Sequence, residues 1–343
     1  MRQQKLSCTT KITNFLLKAW YQPKLAWYLC LLLPIEAVYR AVIYLKHKLT
    51  KPFKSLVPVI VVGNITLGGT GKTPLILWLI DYLTKKGLKV AVISRGYKAN
   101  PPFLPYQVNA VDDPVKTGDE PLLIAQTGVN VVIDPKRVRA IKKVLANNPD
   151  IVLSDDGLQH YALGRSLELV MIDNNRRLGN QHCLPTGPLR EPIKRLKYVD
   201  AVIYNGIAKN QADFYITLEP YAFINLKTGK SEDLDFFANM QNVYAVAGIG
   251  NPIRFFATLT KLKLKVNACS LPDHAQFNAN IFKFEYDFPI IMTAKDAVKC
   301  TKFATKNMWY LAVKTVPSDN FINWFECKIS ELMTKGVTLK NET

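Results

Sequence analysis

The chain has 343 residues, 48% of them hydrophobic, enough for two ordinary domains with a substantial core, so disorder is not the default expectation. Forty-five Lys and Arg against 27 Asp and Glu leave a net charge of +18, the balance of a protein with an anionic partner. The six cysteines are scattered without a C-x-x-C pair, which excludes a disulfide framework or structural zinc site and fits reduced thiols in a cytosolic protein.

Half of the charge excess lies in residues 1–55, where ten basic residues stand against one acid, Glu36. Ile12, Phe15, Leu16, Ala19 and Trp20 recur at the spacing of one helix face. After Pro23 comes an apolar run, Leu25–Leu33. Pro34 follows, then Ile35–Leu45, in which Glu36 and Arg40 stand one helical turn apart and can pair. No small-residue cleavage site follows the run, which argues against a signal peptide. A proline and two charges interrupt it, which argues against a spanning helix. Basic residues interleaved with Trp20, Tyr21, Trp27 and Tyr28 predict that 1–55 is a membrane-associating helical segment lying among anionic headgroups. Its charge orients it to the cytoplasmic face, as a peripheral or monotopic anchor.

From residue 57 short β-branched runs alternate with amphipathic stretches. Strands are predicted at Val57–Val62, Val90–Ser94, Asn130–Ile133, Ile151–Ser154, Leu167–Ile172 and Ala201–Tyr204, with helices at Thr73–Lys86 and Lys136–Asn147. This rhythm predicts an α/β fold with a parallel sheet covered by helices. Residues 212–232 read as an extended, hairpin-like linker: two segments around Pro220 ending in the turn cluster Lys227-Thr228-Gly229-Lys230. The βα rhythm then resumes with Val243–Ala247, a helix after Pro252, Pro289–Thr293, Trp309–Val313 and a last helix near Phe321–Leu332. The expected division is therefore a core over 56–211, the linker, a smaller second α/β domain over 233–335, and a frayed tail over 336–343.

The strand Val59–Val62 runs directly into Gly63-Asn64-Ile65-Thr66-Leu67-Gly68-Gly69-Thr70-Gly71-Lys72-Thr73-Pro74, with a helix behind it. Strand, glycine loop and helix in this order are the context of a P-loop. Glycines let backbone N–H groups turn inward around phosphate oxygens, and the helix N-terminus adds to the field. Residues 66–73 are the predicted ATP cradle, with Lys72 reaching the β- and γ-phosphates and the Thr73 hydroxyl on Mg²⁺. Thr66 stands where the usual pattern has its first glycine, and Gly68-Gly69 restores the flexibility two residues later. A second apolar strand ends in Asp155-Asp156, the arrangement that holds Mg²⁺, followed by Gly157-Leu158-Gln159-His160. Ala247-Gly248-Ile249-Gly250 after a strand reads as a tight βα turn, since the third glycine of a dinucleotide motif is missing.

In this order the residues resemble the tetraacyldisaccharide 4′-kinases of lipid A biosynthesis. The resemblance is carried by the loop at 63–74 and by Ser94-Arg95-Gly96-Tyr97, Gly118-Asp119-Glu120-Pro121, Asp155–His160 and Leu184–Glu191. In the second half it continues through Ala247–Gly250, Asp273-His274 and Thr293-Ala294-Lys295-Asp296-Ala297, with Ala294 standing where an acidic residue is expected. The resemblance implies transfer of phosphate from ATP to the 4′-hydroxyl of a tetraacyldisaccharide 1-phosphate, giving lipid IVA at the cytoplasmic face of the bacterial inner membrane. It implies Asp119 as the base that takes the hydroxyl proton and His274 as the residue that orients it or tunes its pKa. Read locally, without the resemblance, Asp119 is better taken as the cap of a helix that starts at Glu120-Pro121. Asn64, Arg95, Gln159, His160 and Arg190 are the candidate substrate contacts.

The alternative reading is a P-loop ATPase acting on another membrane-associated or anionic substrate. A GTPase is disfavoured because Thr293-Ala294-Lys295-Asp296 has the letters of a guanine-reading motif in the wrong register. A nucleic-acid partner is not expected, because the densest basic block flanks an apolar segment. A monomer is expected.

Overall fold

A computed structural model of the chain describes residues 15–207, 210, 213–238, 242–273 and 275–341. Of the first predicted helix, 15–20 fall within this range and are helical. A 3₁₀ turn, Trp27–Leu32, then leads into the α-helix Leu33–Leu49. Pro34 occupies the first turn of that helix, where its missing N–H has no partner to lose, so it does not interrupt the element. By length and composition Trp27–Leu49 is apolar enough to cross a membrane, which corrects the expectation that Pro34 and the charges break the run.

The first half supplies strands β1 (Val59–Gly63), β2 (Val90–Ser94), β3 (Tyr106–Val108), β4 (Asn130–Ile133), β5 (Ile151–Asp155), β6 (Leu167–Asp173) and β7 (Ala201–Asn205). Then come β8 (Phe214–Asn225), β9 (Ser231–Glu232), β10 (Val243–Ala247), β11 (Val266–Ser270), β12 (Ile290–Thr293) and β13 (Met308–Pro317). All thirteen join one sheet, in the order β11-β10-β12-β13-β8-β7-β6-β1-β5-β2-β4-β3, with β9 paired to β8 alone. Most neighbours are parallel, as the βα rhythm requires; β3–β4, β8–β9 and β8–β13 are antiparallel. β1 lies between β5 and β6 and is buried throughout, so its apolar run has no polar face.

The expected pair of segments around Pro220 is one strand of 12 residues. β8 runs parallel to β7 at Phe214–Ile216 and antiparallel to β13 from Ile216 to Asn225. Pro220 lies opposite Val313, beside a register shift, where the missing N–H removes no regular ladder bond. The turn cluster at 227–230 does close a hairpin, with Ile224 opposite Ser231. Through β8 the sheet passes unbroken from one half of the chain to the other.

Helices cover both faces. Leu75, Ile76, Leu79 and Leu83 of the helix Lys72–Lys85 pack with Phe321 and Phe325 of the last helix on one side. Ile141, Val144 and Leu158 pack against Val59 and Val61 on the other. The last helix runs Asp319–Asn341, so the tail expected to fray from 336 continues as helix, and Gly336 does not stop it. β3 and β11 carry no continuous apolar run and sit at the two sheet edges.

Candidate active site

The parallel register sets the site. Val62 of β1 is level with Asp155 of β5 and Leu169 of β6, so the loops leaving these strands open on one edge of the sheet. There they line a cleft of about 1240 Å³ between the two halves. Its floor is the loop 64–71. Five successive carbonyls of this loop are held by side chains. Asn64 donates to Thr66 O at 2.8 Å and Gly68 O at 3.3 Å. Tyr21 donates to Leu67 O at 3.0 Å, Arg176 to Gly69 O at 2.7 Å, and Asn205 to Thr70 O at 3.1 Å. Carbonyls tied down in this way leave the peptide N–H groups after Leu67, whose own N–H goes to Pro188 O, to turn toward a ligand. Gly68 and Gly71 have φ of +96° and +91°, a conformation that strains any side chain. Gly71 begins the helix Lys72–Lys85 with no side-chain cap and no acid in the first turn, so the positive helix end stays open to an anion.

Lys72 Nζ stands 3.3 Å from Asn64 Oδ1 and 3.3 Å from Asp156 Oδ1. Arg190 reaches Asp156 at 3.2 Å and Gln159 at 3.4 Å. Burial pushes the Asp156 carboxyl upward, but the Lys72 and Arg190 cations more than reverse this and hold it well below the usual carboxylate range. Asp155 behaves oppositely. Burial, then the nearby Glu120 charge, push it up to about 7. Ser94 donates to its Oδ2 at 3.1 Å, and buried Arg137 holds its backbone carbonyl at 2.8 Å.

A divalent cation fits these groups. Asp155 Oδ1 and Thr70 Oγ1 are buried without a hydrogen-bond partner, and Thr73 lines the same cleft. Among the described residues no cluster of three or more His, Cys, Asp or Glu could form an all-protein cage. One hydroxyl and a carboxylate beside a phosphate cradle are instead the donor set of nucleotide-bound Mg²⁺.

The second half forms the opposite wall. Gly250, in the turn after β10, lies so close that a side chain there would meet Gly69 N at 2.8 Å. The turn itself is braced by Gly248 N donating to Asp296 at 3.0 Å. Asp119 is the first residue of the helix Asp119–Ala125; Gly118 is the capping position and no side chain caps it. Its carboxylate pairs with Lys299 at 3.3 Å, and Lys299 also meets Asp296 at 3.0 Å. Beside it, Lys295 joins Glu120 at 2.8 Å and Asp273 at 3.4 Å. His274 lies outside the described residues.

Of the predicted substrate contacts, Arg95, Gln159 and Arg190 line the cleft. Asn64 is buried beneath it and serves the loop carbonyls. His160 is not among the lining residues: its ring lies 2.7 Å from Pro135 O, and burial followed by the charges of Arg137, Lys46 and Arg95 lowers its pKa against that bond. Sequence reasoning placed Trp20 and Tyr21 among lipid headgroups, but Trp20 is buried on Pro185 O and Tyr21 bonds Leu67 O; it quoted Glu120 and Lys295 only as parts of family motifs and assigned no role to Arg176 or Asn205. Asn205-Gly206 closes a strand as Asp155-Asp156 does; the contacts made by Tyr21, Arg176, Glu120 and Lys295 could not be read, because their partners are 46 to 175 residues distant in the chain.

Residues 28–330 match the model of the family described as tetraacyldisaccharide-1-P 4′-kinase. The tetraacyldisaccharide 4′-kinase of Pseudomonas fluorescens (strain SBW25) is 52% identical over 330 residues, covering 94% of this chain and 98% of that protein. The enzyme of the same name from Pseudomonas putida (strain W619) is 51% identical with the same coverage. Among solved structures, LpxK from Aquifex aeolicus in complex with ATP superposes with a TM-score of 0.74 at 27% identity, covering 89% of this chain and 99% of that one.

Proposed function

The chain belongs to the tetraacyldisaccharide-1-P 4′-kinase family, and from that premise we propose how its cleft carries out the reaction. The protein is a lipid kinase: it transfers phosphate from ATP to the 4′-hydroxyl of a tetraacyldisaccharide 1-phosphate, giving lipid IVA in lipid A biosynthesis. The observation that carries the site reading is the loop 66–70 with all five carbonyls occupied from outside. Such a loop meets a triphosphate without reorganising, which is where phosphoryl-transfer catalysis gains most.

In this reading Lys72, steadied by Asp156 and Asn64, presents its charge to the β- and γ-phosphates. Thr73 with Asp155 and Asp156 would hold Mg²⁺, which would supply charge neutralisation at the phosphate oxygens. Arg190 and Arg95 add positive charge on the acceptor side. Asp119 takes the proton of the 4′-hydroxyl, whose own acidity is too weak at neutral pH. Lys299 pairs with it at 3.3 Å and holds the carboxylate in place. His274 orients Asp119. Gln159 bridges Asn64 O and Glu191 and so ties Arg190 to the cradle. His160 braces its loop against Pro135.

Residues 56–211 are the nucleotide-binding half, 212–232 the connection and 233–335 the half that closes the cleft. The segment 1–55 docks on an anionic membrane surface at the cytoplasmic face of the inner membrane. Trp27, Leu31, Val38, Val42 and Leu49 are exposed and suit a lipid surface, while Glu36 and Tyr39 bond the protein. One side bound to a polar loop supports a monotopic helix over a spanning one. The enzyme acts as a monomer and takes no nucleic acid.

The test is incubation of the full chain with γ-labelled ATP, Mg²⁺ and detergent-dispersed disaccharide monophosphate lipid. Label is expected on the lipid, and Asp119→Ala is expected to lower turnover about 10²- to 10⁴-fold with little change in ATP affinity. Absence of transfer by the wild type overturns the reaction; undiminished turnover in the variant removes Asp119 from it.

A further inference from the structure

The helix Leu33–Leu49 is fastened in an unusual way. Most of its apolar side chains are exposed, and its one buried residue is a carboxylate, Glu36. Glu36 accepts from Cys183 N at 2.8 Å and pairs with His182 at 2.9 Å and Arg40 at 2.5 Å. One turn on, Tyr39 donates to Arg190 O at 3.0 Å. Earlier in the segment, Trp20 donates to Pro185 O at 3.1 Å.

Apart from Arg40, which lies on the helix itself, these partners belong to one loop, 182–190, and that loop is laced to the phosphate cradle. Leu67 N donates to Pro188 O at 2.8 Å, Arg190 N to Ile65 O at 2.7 Å, and Thr66 bridges Leu189. Tyr21 skips the intermediary and bonds Leu67 O directly. The Arg176 guanidinium lies over the Tyr21 ring at 5.6 Å while it holds Gly69 O. Hydrophobic contact would keep the segment near the core without fixing where it sits. Directional bonds to the peptides of two loops fix where it sits and how it is turned.

We propose that the N-terminal segment is a working part of the phosphate cradle, with Tyr21 positioning the P-loop, Tyr39 positioning Arg190 and Glu36 holding the helix in register. Seating of the apolar helix on its surface is thereby coupled to phosphoryl transfer as well as to location. Tyr21 acts on the loop that receives the triphosphate, so its loss reads out in nucleotide use. Tyr39 acts on the residue that meets Asp156 and the acceptor side, so its loss reads out in turnover.

Tyr21→Phe and Tyr39→Phe each remove one oxygen and keep the ring, so both variants retain their packing. In the full-length protein, Tyr21→Phe is expected to raise KM for ATP and Tyr39→Phe to lower kcat at unchanged ATP KM, each about five- to tenfold. Flotation with phosphatidylglycerol-containing vesicles and the melting temperature are expected to stay at wild-type values. Wild-type kinetics in both variants overturn the proposal. So does an equal loss of kcat and ATP affinity that follows a lowered melting temperature, or a rate loss that follows lost vesicle binding. The inference rests on the kinase reading, which the wild-type transfer rate tests separately from the comparison of variants.

Discussion

Replacing Gly71 by alanine tests whether the cradle is held from behind by Asn205. Gly71 has φ +91°, and a Cβ built on it lies 2.2 Å from Asn205 Nδ2 and 2.9 Å from Asn205 Cγ. The left-handed backbone alone costs about 1–2 kcal/mol for an L side chain. Asn205 must also move, and it makes two bonds: to Thr70 O at 3.1 Å, and from Arg254 at 2.7 Å. Losing both costs about 1 kcal/mol each, so the total is about 3–4 kcal/mol. If most of that falls on the bound state, kcat/KM for ATP drops by about 10²- to 10³-fold. Gly87 is the control: it has φ +81° but nothing within 4 Å of its virtual Cβ. Gly87→Ala is expected to lower the melting temperature through the backbone term and leave kcat/KM at the wild-type value. The assay is steady-state label transfer with thermal melts on all three proteins. Equal activity in Gly71→Ala and wild type, or equal activity loss in both variants, refutes the argument that Asn205 is the support.

Two further predictions concern protons. Asp155 is raised to about 7 by burial and by Glu120, so its ionised form is disfavoured in the fold and costs stability increasingly as pH rises from the ordinary carboxylate range. Without nucleotide or divalent cation, Asp155→Asn is therefore expected to melt above the wild type at pH 8, with the gap closing on acidification, while phosphoryl transfer is lost. A variant that melts lower than the wild type at pH 8 refutes this. Glu36 has the opposite sign. Burial raises it, but the Cys183 N–H, His182 and Arg40 outweigh burial and hold it below its ordinary 4.5. Its stabilisation is complete above that value and is lost as pH falls through the lowered one. Glu36→Gln is expected to cost about 1–3 kcal/mol near neutrality and to flatten the acid limb of a stability-versus-pH curve; an unchanged acid limb refutes the assignment.

Much of the catalytic half was legible because its signals are local. A strand buried on both faces must be an apolar run, and a loop that wraps phosphate must contain glycines, so Val59–Thr73 announces itself within fifteen residues. Asp155-Asp156 at the end of another such run is legible for the same reason. The extended segment around Pro220 was legible as extended, but its continuity was not: whether a proline breaks a strand depends on what lies opposite, and Val313 beside a register shift is 93 residues away. The edge strands β3 and β11 escaped because half-exposed edges need no apolar pattern. The charge pairs Lys295–Glu120 and Lys299–Asp119 join residues that only the shared sheet brings together.

From sequence alone came the nucleotide loop, the acidic strand end, the alternation of strands and helices, and the apolar, basic N-terminus. Each is a property of neighbours along the chain, where backbone conformation and burial period are set. Tertiary structure alone decided that Tyr21, Asn205 and Arg176 hold the loop's carbonyls, that Gly250 closes against Gly69, and that an exposed apolar helix is pinned by a buried Glu36. A hydrogen bond depends on where two groups meet in space, and no period in the chain records that meeting.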